Sequence, residues 1–325
     1  MLRIALLAGG NSGEFDISLK TAANIQTELD VKQFETYLII VKKNRWVYTD
    51  SNGEYFEINK DDFSLTINGK QITFEVAFIA IHGDPGENGK MQAYLEMLQI
   101  PYTGCDSFCS ALTFNKFFCN IAVSKCGVPI SPSLHFFKYD EIDYDTVINQ
   151  CGLPCFVKPC NSGSSVGISK AHNLEELKAG IALAFKEDNQ VMIEHFIPGR
   201  ELTCGVAMWQ GKVTALAVTE IKSKKEFYDF EAKYTPGFLD LVTPAEIPPM
   251  IEKKIKEYAE TIYKKLGCKG VVRIDFILNP QNEAIFLEIN TIPGQTAMSI
   301  IPRQLTHNNI PISALYSKLI WDCLS

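Results

Sequence analysis

The sequence predicts an α/β protein of three units, and three observations carry that prediction. At 325 residues the chain can bury more than one core, and length alone favours two or three domains. Its opening alternates buried-strand runs with an amphipathic helix, as a parallel sheet flanked by helices requires. Further on, Gly/Ser-rich and polar loops divide the strand and helix patterns into two more groups.

In the first unit, 1–104, Arg3-Ile-Ala-Leu-Leu-Ala8 reads as a buried strand and Gly9-Gly10-Asn-Ser-Gly13 as a tight turn. An amphipathic helix over 18–29 follows, with Ser18 as its cap. Residues 35–41 and 74–81 repeat the buried-strand pattern, which gives a small parallel sheet closed by 101–104. The second unit, 105–197, begins with a helix over 107–126, ended by Gly127-Val-Pro129, and a strand over 133–137. Strands over 155–158 and 166–169 flank a Gly/Ser loop, Asn173 and Glu176 form a capping box, and 191–194 is a further strand. The third unit, 198–325, has two strands around Gln210-Gly211, a polar and aromatic stretch over 222–244, a helix over 249–266, a hairpin, and a terminal helix from Ile312. A stretch as long as 222–244 without a pattern of its own is functional or disordered.

Composition excludes several classes of protein. A net charge of −7 without a dense Lys/Arg tract argues against nucleic acid or an acidic membrane as partner. Ten scattered cysteines with no C-x-x-C pair read as buried free thiols, not as a disulfide framework, which suits a reducing cytoplasm. The first eight residues are too short for a secretory segment and no apolar run approaches about 18 residues, so a soluble, unexported chain is expected.

The hairpin carries the most chemistry. Val271 to Leu278 and Ala284 to Asn290 are β-branched and aromatic runs joined by the turn-forming residues 279–283. With the turn centred on Gln281-Asn282, Asp275 lies opposite Glu288, and Arg273 and Asn290 share their face. The other face, with Val272, Ile274, Phe276 and Leu278 against Ile285, Leu287 and Ile289, is apolar and packs on a core. Opposed carboxylates repel unless a cation lies between them. Two carboxylates and an amide oxygen are hard ligands suited to Mg²⁺ that keeps its other positions for water and phosphate, and Arg273 beside them faces an anion. A surface hairpin with cross-strand charges accounts for any single such pair equally well.

Other candidates are weaker when taken singly. The loop from Lys158 to Gly167, with Ser164 and Ser165, can cradle phosphates, although it lacks the Walker A order and also fits a plain turn. Lys116 on a helix is by itself a solvated residue. Glu194 and Glu201 bracket a segment whose Phe196-Ile197 step suits an adenine ring with a carboxylate for a sugar hydroxyl, or is an ordinary surface loop. Glu14 and His82 both follow buried strands, where open α/β sheets gather ligands. Glu14 can hold an ammonium group there or serve only as a solvated charge.

Read in order, Gly9-Gly10-Asn-Ser-Gly-Glu14, His82-Gly-Asp-Pro-Gly-Glu87, Tyr102-Thr-Gly104, Gly163-Ser-Ser-Val-Gly167, Tyr228-Asp-Phe-Glu-Ala-Lys-Tyr234, Arg273-Ile-Asp275 and Glu288-Ile-Asn-Thr-Ile-Pro-Gly294 resemble the D-alanine:D-alanine ligases of the ATP-grasp superfamily. The match runs from Gly9 to Pro302. The resemblance implies a three-domain ATP-grasp architecture, with an N-terminal α/β substrate-binding domain and two α+β subdomains that clamp ATP. It implies ligation of two D-alanines for peptidoglycan precursors through an acyl phosphate, with release of ADP and phosphate.

By the same resemblance Lys116, Lys158, Ser164, Ser165, Glu194, Glu201, Tyr228 and Lys233 hold ATP, with Phe196 and Ile197 beside the adenine. Asp275, Glu288 and Asn290 hold two Mg²⁺, for which Mn²⁺ can substitute. Glu14, Ser164, Tyr234, Arg273 and Gly294 serve catalysis, and Glu14, His82, Ser299 and Ile300 bind substrate. Residues 222–244 form a lid, in which Tyr234 links through Ser164 to Glu14 and favours alanine over lactate. A cytoplasmic homodimer is expected.

Phe15, Asp16, Asn88, Asn115 and Phe230 depart from the usual residues without removing a metal ligand or phosphate contact. A D-alanine:D-serine ligase or another ATP-grasp amino-acid ligase is the close alternative. A dinucleotide oxidoreductase would need the G-x-G-x-x-G spacing that Gly9 to Gly13 lacks. A silent nucleotide-binding regulator would be expected to lack a ligand from a set that is complete here.

Overall fold

The computed structural model describes residues 1–163, 166–223 and 239–324, which form three sheets with helices alongside. In β1 (Leu2–Gly9) the residues from Ile4 to Ala8 are fully enclosed, as a strand covered on both faces requires. β2 (Phe34–Lys42) and β7 (Val76–Ile79) flank it in parallel. The sheet differs from the small parallel one expected, because β3 (Arg45–Thr49), β4 (Tyr55–Asn59), β5 (Ser64–Ile67) and β6 (Lys70–Ile72) add an antiparallel meander. Its seven strands run in the order β6-β5-β4-β3-β2-β1-β7. Asn68-Gly69, both at positive φ, is the two-residue hairpin turn that joins the last pair.

α1 (Phe15–Glu28) starts ahead of Ser18, which is therefore not its cap. The buried Ser18 hydroxyl instead accepts from the Gly9 N–H at 2.8 Å and donates to the Ala80 carbonyl at 2.7 Å, tying together the ends of two parallel strands. The single helix expected over 107–126 is two, α3 (Ser107–Phe114) and α4 (Lys116–Ser124), which follow α2 (Lys90–Met97). Asn115 is extended between them and its side chain accepts from the Phe118 N–H, so it caps α4 and sets Lys116 at the first position of a helix.

The second sheet, in the order β10-β9-β11-β8, is antiparallel throughout. Its strands are β8 (Ser133–Phe137), β9 (Cys155–Pro159), β10 (Ser169–Ala171) and β11 (Gln190–His195), with α5 (Tyr144–Cys151) and α6 (Leu174–Glu187) alongside. The strand expected over 166–169 starts only at Ser169. Asn173 caps α6 by accepting from the Glu176 N–H at 2.9 Å.

The third sheet runs β14-β13-β12-β15-β16, built from β12 (Arg200–Trp209), β13 (Lys212–Ser223), β14 (Leu239–Val242), β15 (Val271–Leu278) and β16 (Ala284–Asn290). α7 (Pro249–Lys265) packs Ile255, Ala259 and Ile262 against it. α8 (Ile300–His307) and α9 (Ile312–Asp322) contribute Ile301, Leu305, Leu315 and Tyr316 to a core that also holds Ile4, Leu6 and Val76 of the first sheet. The first and third sheets therefore share a core, and Asn24 and His82 reach the Gln295 and Ile292 carbonyls after β16. Among the described residues no helix is long and apolar enough to cross a membrane.

Candidate active site

The β15–β16 register places Asp275 opposite Glu288 and Arg273 opposite Asn290. One part of the hairpin differs from expectation. The register shifts next to Asp275, so that Phe276 pairs with Phe286, and Ala284 and Phe286 face the core in place of Ile285 and Leu287. The bulge is what allows Phe286 to be buried and Glu288, two residues on, to face the opposite side.

Asp275 is 1% exposed and receives the Arg273 guanidinium through both oxygens, Nε at 3.0 Å and Nη2 at 2.7 Å, together with the Thr203 hydroxyl. Glu288 lies 3.4 Å from the Lys116 Nζ. Each carboxylate is thus compensated by a cation of the chain, and Lys116 reaches its position because Asn115 breaks the helix just before it. The Asn290 side-chain oxygen accepts from the Ile292 N–H at 3.0 Å.

Lys116 also donates to the Ser162 carbonyl at 2.9 Å, at the start of the Gly/Ser loop. That loop approaches the N-terminal unit closely, since a Cβ built on Gly163 would lie 3.2 Å from a Glu14 carboxylate oxygen. Lys158 on β9 and Glu194 on β11 form a buried ion pair, with the Lys158 Nζ 5.4 Å from the centre of the Phe156 ring. Phe156 in turn meets Phe196 edge-on at 5.8 Å, and Lys170 lies 4.0 Å over the Phe196 ring. Ile197 is half-buried beyond the end of β11, and Glu201 pairs with Ile221 and Ile277 in the third sheet.

His82 is buried, with Nδ1 2.8 Å from the Ile292 carbonyl and Nε2 3.0 Å from the Thr21 hydroxyl. A carbonyl only accepts, so Nδ1 carries the proton and Nε2 accepts from Thr21. Burial lowers the His82 pKa, against the opposite pull of Glu14, and keeps the ring neutral at neutral pH. Ser299 precedes α8, and its Oγ accepts from the Thr296 N–H at 3.1 Å. Gly294 lies against it, with room for a Cβ only 3.2 Å from that oxygen.

Glu87 is buried in the same corner and accepts from the Gly83 N–H at 2.7 Å. Burial first, and then the charge of Glu14, pushes its pKa up to about 8. A carboxyl raised in this way holds a proton only in the folded state between its ordinary pKa and the raised one, so it contributes a stability that is lost as pH rises through that window. Glu87→Gln cannot ionise, so its melting temperature relative to wild type is expected to rise steadily from about pH 5 to about pH 8. Circular dichroism melts across that range check this, and a difference independent of pH would remove Glu87 as the titrating group.

Glu14, His82, Lys116, Arg273, Glu288 and Asn290 line one cavity of about 700 Å³, along with Gly294, Ser299 and Ile300. Asp275 is enclosed and does not line it. Lys158 on β9, Glu194 on β11, Phe196 and Ile197 in the segment after β11, and Glu201 at the start of β12 do not line this cavity. Ser164, Ser165, Tyr228, Lys233 and Tyr234 lie outside the described residues.

Two family models match the chain, one described as D-ala D-ala ligase N-terminus over residues 3–105 and one as D-ala D-ala ligase C-terminus over residues 123–321. The chain belongs to the D-alanine–D-alanine ligase family. Its relatives include the D-alanine–D-alanine ligase of Azobacteroides pseudotrichonymphae, 40% identical over 321 residues, which span 98% of this chain and 99% of the relative. A solved D-alanyl-alanine synthetase A from Vibrio cholerae matches with a TM-score of 0.90 at 28% identity, over 99% of this chain and 98% of the other. The solved VanG D-Ala:D-Ser ligase from Enterococcus faecalis matches with a TM-score of 0.86 at 32% identity, over 98% of each chain. The fold is accordingly the α/β ATP-grasp arrangement, with a mixed rather than parallel first sheet.

Sequence reasoning missed four residues around the candidate site. Thr21 orients His82, Thr203 holds Asp275, Glu87 fills the corner behind Glu14, and Lys20 lines the cavity. Glu87 closes the His82-Gly-Asp-Pro-Gly-Glu87 motif, and Lys20 and Thr21 follow Glu14 and Ile17 at helical spacing on α1. Thr203 gave no signal, because its partner is 72 residues away.

Proposed function

We propose that this ligase joins two D-alanine molecules with ATP, releasing ADP and phosphate, for peptidoglycan precursor synthesis. A carboxylate oxygen of the first D-alanine attacks the γ-phosphorus, and ADP leaves with the electrons of the broken phosphoanhydride bond. The amine of the second D-alanine then attacks the carbonyl carbon of the acyl phosphate, loses a proton, and the C–O bond to phosphate breaks.

Glu14 holds the first ammonium group, and the neutral His82 fixes the loop beside it. Lys116 and Lys158 bind phosphate oxygens, with Glu194, Phe196, Ile197 and Glu201 toward the nucleoside. Arg273 and the Gly294 N–H stabilise the tetrahedral oxyanion, while Ser299 and Ile300 meet the second carboxylate. Asp275, Glu288 and Asn290 fit Mg²⁺ or Mn²⁺, because they are hard oxygen donors on neighbouring strands whose charge is otherwise balanced by Arg273 and Lys116. When bound, the cations neutralise charge on the transferring phosphoryl group. Ser164, Ser165, Tyr228, Lys233 and Tyr234 complete the reading as phosphate and lid residues that exclude water from the acyl phosphate.

The observation that carries this reading is that Glu14 and His82, from loops after parallel strands, meet Lys116, Arg273 and Glu288 around one cavity. The test is ADP release with ATP, Mg²⁺ and a panel of D-amino and D-hydroxy acids. Release that needs D-alanine supports the reading, and release indifferent to it sinks the reading. Faster release with D-alanine plus D-serine than with D-alanine alone would favour a mixed ligase, the alternative that the resemblance to the Enterococcus faecalis enzyme keeps in view. A homodimer completes the proposal, and light scattering at twice the chain mass checks it.

A further inference from the structure

Three of the ten cysteines converge where the start of α3 meets the turn between α7 and β15, away from the cavity. Cys105 follows the end of the first unit, Cys109 lies in the first turn of α3, and Cys268 is in the turn between α7 and β15. Their sulfurs all lie within 4.8 Å of one another, with Cys109 and Cys268 at 3.8 Å, and all three residues are buried. The Lys269 carbonyl oxygen lies 3.5 Å from the Cys105 Sγ, and the Lys269 N–H donates to the same sulfur at 3.4 Å. Among the described residues this is the only group of three His, Cys, Asp or Glu side chains spaced closely enough to share an ion.

We propose that Cys105, Cys109 and Cys268 form a structural site for one thiophilic d¹⁰ cation, Zn²⁺ or Cu⁺. A tetrahedral ion with metal–sulfur bonds of about 2.3 Å holds its sulfurs about 3.8 Å apart, which is the Cys109–Cys268 spacing. Zn²⁺ would take the Lys269 carbonyl or a water as its fourth ligand, whereas Cu⁺ is satisfied by three thiolates. Each metal–sulfur bond replaces an S–H bond, and the proton leaves to the buffer. The Lys269 N–H on the Cys105 sulfur is the kind of hydrogen bond that steadies a coordinated thiolate. The turn is shaped to bring that peptide close, because Gly270, at positive φ, packs so tightly against Gly104 that a Cβ there would lie 2.9 Å from the Gly104 Cα.

The site would staple the end of the N-terminal unit to the turn from which β15 departs, with Cys268 only a few residues before Arg273 and Asp275 on that strand. Its role is therefore structural. The test uses the untagged full chain, purified under a non-thiol reductant without chelator and assayed for metals by mass spectrometry. One Zn or one Cu per chain is expected, and the two metals distinguish four- from three-coordination. With Co²⁺ in place of the native metal, a sulfur-to-cobalt charge-transfer band is expected in the near ultraviolet. Metal and band should be lost in Cys109→Ala and Cys268→Ala and kept in Cys126→Ala, and stripping the wild-type chain should lower its melting temperature by several degrees.

A wild-type chain that retains no metal and gives no cobalt–thiolate band overturns the proposal. So does metal that survives both cysteine variants, or a Cys109–Cys268 disulfide found in the reduced preparation. Because the stoichiometry and the band are read on the wild type, a variant that fails to fold leaves the test intact.

Discussion

Glu288→Gln is expected to lower D-alanine-dependent ADP release by about a thousandfold, while the chain keeps its fold. Glutamine preserves the shape of the side chain but removes the charge that would hold a divalent cation against phosphate. Loss of such charge stabilisation is worth several kcal/mol, and about 4 kcal/mol corresponds to about a thousandfold in rate. The fold should tolerate the change because the Glu288 side chain is 34% exposed, so solvent screens its 3.4 Å pairing with Lys116, and Lys116 keeps the Ser162 carbonyl as a partner. The hairpin itself is held by the apolar face opposite, with Ile274, Phe276, Phe286 and Ile289 in the core. A circular dichroism melt beside an ADP-release assay checks both parts. Near-normal turnover would remove the metal assignment from Glu288, and a collapsed melt would show that the residue is structural.

Lys158→Ala is expected to cost both stability and nucleotide binding, and the two can be separated. Lys158 and Glu194 sit diagonally across β9 and β11, with side chains only 9% and 6% exposed. Removing the lysine leaves a buried carboxylate without its cation, a loss of about 3–5 kcal/mol. Replacing both partners with apolar residues of similar size, Lys158→Met with Glu194→Leu, removes the uncompensated charge and should restore most of that stability. ATP affinity, measured by calorimetry, should remain lost in the double variant if Lys158 contacts phosphate. Recovery of ATP binding along with the melting temperature would reduce the pair to a structural bridge and would take Lys158 and Glu194 out of the nucleotide site.

The parts of the site legible in the sequence are those in which a local pattern fixes geometry. Asp275 and Glu288 are separated by one short turn, and strand alternation alone places them face to face. The capping box at Asn173 is local in the same way. Errors arose where a distant partner outweighed the local signal. Ser18 has the right residue type for a cap, but its hydroxyl is bound to Gly9 and Ala80, so the helix begins earlier. The helix pattern over 107–126 is continuous in hydrophobicity, yet Asn115 breaks it. The Asn115 amide reaches Asn161 and Gln190, and its oxygen caps α4, all contacts that periodicity does not register. The antiparallel meander leaves a weak pattern in the sequence because its strands are short and half-exposed, although Asn68-Gly69 marks one of its turns.

The sequence by itself determined the α/β class, the opposed carboxylates of the hairpin and the family, since each is written in contiguous residues whose spacing survives without a fold. Only the tertiary structure decided that Lys116 neutralises Glu288 across 172 positions, that Glu14 borders the Gly163 loop, and that Phe286 rather than Leu287 enters the core. Only it could gather Cys105, Cys109 and Cys268, which looked like scattered thiols along the chain. The physical reason is common to all four. Charge balance, close backbone approach, packing and sulfur convergence depend on distances through space, and folding sets those distances by burying distant segments in a shared core.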